Sequence, residues 1–153
     1  MDDTLTTIQT MAQADMDNVN HVDPVPEGQT VDTFANNAYG AILTAIKTEI
    51  ETDPEGVGYA GKTNAEIADL LNNSYQKQEG TKQVQTGTAY EIAKDKDGNP
   101  LLNQDGTSIV VKVPIMEEQP NIVTKDARVI TLLMNIPYAP NAITETLVQE
   151  ALA

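Results

Sequence analysis

Cysteine is absent from this 153-residue chain, which removes disulfides, thiolate catalysis and Cys-ligated zinc or iron–sulfur sites together. Aromatic residues are nearly as scarce: there is no Trp, one Phe (Phe34) and an aromatic share of 4%. Ala, Val, Ile and Leu must therefore supply the core of what the length predicts to be one domain. Positive charge is the next deficit. Nine Lys and Arg stand against 23 Asp and Glu, for a net charge of −14. That balance argues against sequence-specific nucleic-acid binding or an anionic membrane surface, because both need clustered positive charge. No apolar run approaches the roughly 18 residues of a spanning helix, and the acidic start Met1-Asp2-Asp3 lacks the basic stretch of a secretory leader.

The residues that carry chemistry are missing in the same way. His21 is the only histidine, so no His-based metal cluster can form, and no nucleophile stands beside it for general acid–base work. The two serines, Ser74 and Ser108, lie outside any Gly-x-Ser-x-Gly elbow, and no phosphate-binding P-loop occurs. Gly56, Gly58 and Gly61 mimic Gly-x-Gly-x-x-Gly, but they follow a helical pattern where a dinucleotide site needs a strand. With Asp95 as the first position of a calcium loop, the sixth is Pro100 and the twelfth Gly106, so the loop fails at both. Asp95, Asp97, Asn99 and Asp105 read as turn formers that at most gather a weak surface cation. Glu117 and Glu118 are adjacent and point apart, which does not suit paired-carboxylate catalysis. The expectation is a non-enzymatic protein with no catalytic residue, no cofactor and no bound metal.

What is present is unevenly placed. From Met1 to Ile46 there are seven acidic side chains and no Lys or Arg. Asp2 or Asp3 can cap a short helix with Leu5, Ile8, Met11, Ala12 and Met16 roughly on one face. Asp23-Pro24-Val25-Pro26-Glu27-Gly28 then forces extended backbone. This segment reads either as an ordinary helix and loop on one domain or as an extended arm. In the arm reading Leu5, Ile8 and Met11 seat on a neighbouring subunit while Asp2, Asp3, Asp15 and Asp17 face its basic residues, and residues 1–30 stand apart from a domain at 31–153.

Beyond the arm, Phe34, Ala38, Ile42, Ile46 and Ile50 recur every fourth residue, capped by Asp32 or Thr33 and ended by Asp53-Pro54. Thr63-Asn64-Ala65-Glu66 has capping-box spacing and opens a second helix through Ile67, Leu70 and Leu71 to Tyr75. The two helices are expected to pack as one hairpin-like unit. Tyr59 would sit under the intervening turn with its hydroxyl in water, and Asn72 would cap the second helix in a left-handed conformation. Gln76 to Gly87 reads as loop, and residues 88–116 as a projecting antiparallel hairpin with Pro114 on an edge. Helical patterns return after Pro120, with Val129, Ile130, Leu132 and Leu133, and again from Thr144 through Leu147 and Val148. The fold class is α+β: a mostly helical body, one projecting β-hairpin and an extended N-terminal arm.

The stretch from Ile46 to Asn72 carries a resemblance. Thr52-Asp53-Pro54-Glu55-Gly56-Val57-Gly58-Tyr59-Ala60-Gly61, leading to Leu70-Leu71-Asn72, resembles a segment of small structural proteins of tailed bacteriophages. There a helix ends in Asp-Pro, passes Gly-Tyr-x-Gly and re-enters a helix ending in Leu-Asn. The resemblance implies phage origin and carries no site residues with it. In that setting a mostly helical body with an arm and a projecting hairpin suits interlocking in a symmetric ring, so the expectation is a virion structural protein, assembled in the host cytoplasm, at the head–tail connector or neck. Its partners would be other virion proteins and copies of itself in a symmetric homo-oligomer. A capsid decoration protein is the alternative within that class, and an acidic DNA-mimic inhibitor of a host nuclease the alternative outside it.

Overall fold

A computed structural model of the chain describes residues 3–20 and 23–153; Asp2 as a cap and His21 lie outside the described residues. Five helices and two strands follow in the order α1 (Thr4–Asp17), α2 (Val31–Thr52), α3 (Asn64–Asn72), β1 (Tyr75–Ile92), β2 (Val110–Lys125), α4 (Arg128–Leu133) and α5 (Glu145–Leu152). The class is α+β with a single two-stranded hairpin. The chain divides into two compact units, Met1–Lys77 with Thr124–Ala153, and Gln78–Val123.

In the helical unit, α2 carries the long apolar stripe. Ala35, Ala38, Ile42 and Ile46 are buried on it and Ile50 is half-buried. Its start is fixed by Thr30, two or three residues before the expected caps, whose hydroxyl accepts from the Thr33 amide at 3.1 Å. It ends at Asp53, which takes a left-handed conformation (φ 38°) and accepts from the Val57 and Gly58 amides at 2.7 and 2.8 Å. A short acceptor side chain tolerates that backbone, and the proline behind it prevents the helix from continuing. The capping box of α3 is present as the spacing predicted, with Thr63 and Glu66 exchanging hydrogen bonds.

The helix pair itself is arranged otherwise than expected. α5 packs on both α2 and α3, and these two make little direct approach to each other. Leu147 and Val148, both fully buried, fill the seam instead.

The N-terminal segment is corrected as well. α1 docks on α2 of its own chain, Ile8 is 0% exposed and Ala12 is buried with it. Burying an Ile side chain stabilises by about 1.5–3 kcal/mol, and Asp32 of α2 accepts from the neutral Gln9 side chain of α1 at 3.5 Å, so the acidic composition does not prevent docking. The two sides of residue 30 belong to one compact unit, and α1 is an ordinary docked helix of it and no free arm.

The hairpin is longer than the sequence pattern suggests. β1 begins at Tyr75, so the supposed loop from Gln76 to Gly87 is strand. Glycines and glutamines hide it, because Gly80 sits inside the strand at φ 70° and Gln78 and Gln85 each donate to the carbonyl two residues on. A positive-φ glycine within a paired strand is the mark of a bulge.

Candidate functional site

Among the described residues the most constructed polar cluster lies inside the helical unit. Glu49 occupies the apolar stripe of α2 and is 2% exposed. Arg128, at the start of α4, donates to both its carboxylate oxygens at 3.0 Å each, and the Tyr59 hydroxyl donates to Oε2 at 2.7 Å. The Tyr59 hydroxyl is thus buried and bonded, not wet. Burial first, and the bond to Glu49 second, push the phenol far above its usual range, and the same carboxylate raises Arg128. A buried carboxylate is tolerable only when paired and fully bonded, and the forked guanidinium meets that demand where a lysine could not. Arg128 is the only arginine in the chain. Nearby, Lys77 at the start of β1 pairs with Glu55, whose carboxyl it holds below the ordinary range. The places where the chain leaves and re-enters the helical unit are each tied by an ion pair.

This cluster has no reactive character. Its groups are mutually satisfied, and no buried side-chain nitrogen or oxygen among the described residues lacks a partner. Nor does any described group of three or more His, Cys, Asp and Glu stand ready for a metal ion. The signal for it lay in the sequence: Glu49 falls seven residues after Ile42 on a buried stripe, and a lone arginine stands among eight lysines.

The residues singled out on α1 are separated by the fold. Ile8 is in the core and closed to a neighbouring subunit, and Leu5 is half-buried against that core. Met11 is 45% exposed. Asp15 accepts a hydrogen bond from the Tyr138 hydroxyl, and Asp17 accepts from Gln13 at 3.0 Å. The acids of α1 are in use within the chain.

Exposed apolar surface gathers in the other unit. No described residue from 78 to 123 is buried. Most of the exposed large hydrophobic side chains are there, among them Tyr90 at 65%, Leu102 at 58%, Val110, Ile115 and Met116. Isolated two-stranded hairpins are marginal in water, and stability ordinarily needs a third strand or a covering layer. At its far end the hairpin is braced by a closed ring of three backbone hydrogen bonds. Ala93 donates to Ile109 at 2.8 Å, Ile109 to Leu101 at 3.0 Å, and Leu101 to Ala93 at 2.8 Å. The three residues are eight apart in sequence, and each intervening octad makes the same turn. Asp97-Gly98 and Asp105-Gly106 correspond, with Gly98 and Gly106 at φ 85° and 86°. Asp95 accepts from the Asp97 and Asn99 amides, and Asp105 from both the amide and the hydroxyl of Thr107. This eight-residue repeat was available in the sequence as Asp-Gly at constant spacing. The rigid tip it builds presents Leu101 and Leu102 to solvent.

No family model matches the chain, and neither a curated protein nor a solved structure matches it. No described helix is long and apolar enough to cross a membrane. The geometry offers exposed apolar side chains on a braced hairpin, and a helical unit with its own core.

Proposed function

We propose that the protein is a non-enzymatic structural component of a tailed-bacteriophage virion, at the head–tail connector or neck, joining its neighbours through the hairpin. The observation that carries this reading is the 46-residue unit Gln78–Val123, which buries none of its described residues and holds most of the exposed large apolar side chains. Exposed large apolar side chains gathered on one element suit an interaction site, and the phage-like segment from Ile46 to Asn72 supplies the setting. Interlocking elements of this kind suit closed, symmetric assemblies.

A DNA-mimic inhibitor is disfavoured by what the acids do. Asp53, Asp95 and Asp105 accept backbone amides within their own turns, and Glu49 is buried, so none joins an ordered phosphate-like row. The test is mass spectrometry of purified particles with copy number. About six or twelve copies place the protein in the neck and hundreds on the shell as a decoration protein, following the symmetry of each site. Absence from particles overturns the virion reading and returns weight to the inhibitor.

A further inference from the structure

The two edges of the hairpin are not alike. Pro114 and Pro120 both lie within β2, six residues apart and hence on the same side of the strand. The Ala93 amide donates to the Ile109 carbonyl, so the next residue of β2, Val110, turns its peptide groups away from β1, as do Lys112 and Pro114 by alternation. The missing N–H groups of the two prolines therefore fall on the outer edge of β2. Prolines so placed are how natural sheets close an edge to further strands.

The outer edge of β1 has no such guard. The strand contains no proline, and by the same alternation Thr88, Tyr90 and Ile92 turn their N–H and C=O groups outward. A Cβ at Gly87 would lie 3.5 Å from the Ile115 side chain, and 87 with 115 keeps the register of 93 with 109, so this part of the ladder runs without a bulge. From Gln83 to Ile92 the only charged residue is Glu91. The edge is regular, uncharged over most of its length and flanked by exposed Tyr90, Ile92 and Val110.

We propose that the outer edge of β1 receives the same edge of a second copy of this chain, antiparallel, giving a four-stranded sheet closed on both sides by the prolines of β2. Two observations select a second copy. The pairing is self-limiting, since the two edges it leaves are the blocked ones. The charge distribution permits it: the hairpin unit carries seven acids and four lysines, so most of the −14 resides in the helical unit and the contact joins the least charged surfaces. The proposal rests on the hairpin as the assembly element and not on its virion setting.

The test uses the purified full chain without other phage components. Light scattering coupled to size exclusion is expected to give twice the 16.5 kDa chain mass. Thr88→Pro removes one outward N–H and should return the mass to that of one chain, while Lys112→Pro, on the edge already blocked, should leave the dimer. Residue-resolved hydrogen exchange on the unmodified protein gives a readout that needs no variant. The amides of Thr88, Tyr90 and Ile92 should exchange at least about tenfold more slowly than those of Val110 and Lys112, as bonded amides do relative to open ones. A monomer at all accessible concentrations overturns the proposal. So does a dimer in which those three amides exchange as fast as the β2 edge, or one lost equally in both variants while each keeps its circular dichroism. Absence of the protein from phage particles, with the dimer intact, would remove the virion reading alone.

Discussion

The side chain of Asn72 pairs with both backbone polar groups of Ile143: Nδ2 donates to the carbonyl and Oδ1 accepts from the amide, each at 2.7 Å. The last residue of α3 thus holds the stretch that leads into α5 in the manner of a one-residue β-bridge. It does not cap its own helix. That task falls to Asn73, whose backbone is extended and whose Nδ2 donates to the Asp69 carbonyl.

Asn72→Asp is the sharpest test of that bond, since a carboxylate keeps the acceptor and loses the donor. It should lower the unfolding free energy by about 1–3 kcal/mol, the cost of leaving a half-buried group unpaired. Urea titrations of the two proteins compare them, and equal midpoints would show that the pairing contributes nothing.

Around Glu49 the partners should be unequal. Arg128→Ala strands a buried carboxylate and should cost about 3–5 kcal/mol, whereas Tyr59→Phe removes one neutral donor and should cost about 1–2 kcal/mol. Arg128→Lys should recover only part of the loss, having no fork to present. Chemical denaturation of the three variants gives the order directly; a Tyr59→Phe loss larger than that of Arg128→Ala would reverse the assignment.

How far the residues themselves announced this architecture varies with the distance over which each is decided. The α2 stripe, the Thr63–Glu66 box and the turn at Asp53 are settled by neighbours within a few positions, and all three could be read. The insertion of α5 between α2 and α3 could not, because it depends on residues some hundred positions apart choosing among similar apolar faces. The length of β1 was obscured for another reason: Gln, Gly and Lys have low strand propensity, and pairing with β2 overrides it. The docking of α1 was hidden because the run of acids without Lys or Arg draws the eye to a partner's charge, whereas burial of Ile8 and Ala12 decides where the helix sits.

Ile8→Ala makes the docking of α1 measurable. Ile8 is fully buried, so the truncation should cost about 2–5 kcal/mol in lost transfer energy and cavity. A free arm would show no change in melting temperature.

Tyr138 ties α1 from the other side through Asp15, with its ring edge against Phe34 at 6.2 Å between centroids. Burial, then the bond to Asp15, push its phenol up from 10.0 to about 12. A folded-state value above the unfolded one stabilises fully below the unfolded value and is lost as pH rises through the folded one. Tyr138→Phe keeps the ring contact and removes the hydroxyl. It should therefore be less stable than the parent at pH 8, with the difference narrowing steadily above pH 10. A difference constant from pH 8 to pH 11 would deny the linkage.

Replacing Gln78–Val123 by a short Asn-Gly turn should leave the helical unit folded, since every buried core residue lies outside that stretch. The expected outcome is retained helical circular dichroism and cooperative melting together with loss of incorporation into particles. A shortened protein that still assembles would transfer the adhesive role away from the hairpin.

The insertion of the hairpin between α3 and α4 also sets an order of events during synthesis. Glu49 and Arg128 are 79 residues apart, so at about 5–20 residues per second the carboxylate waits roughly 4–16 s for its cation. Hairpins close in about 1–10 μs, and the ring at Ala93, Leu101 and Ile109 spans only local chain. All of Gln78–Val123 is thus made while Ile46 and Leu71 still lack the α5 face that covers them. A nascent chain paused between β2 and α5 would display the exposed apolar side chains of the hairpin and an unfinished helical core together, the interval in which a holdase would find it.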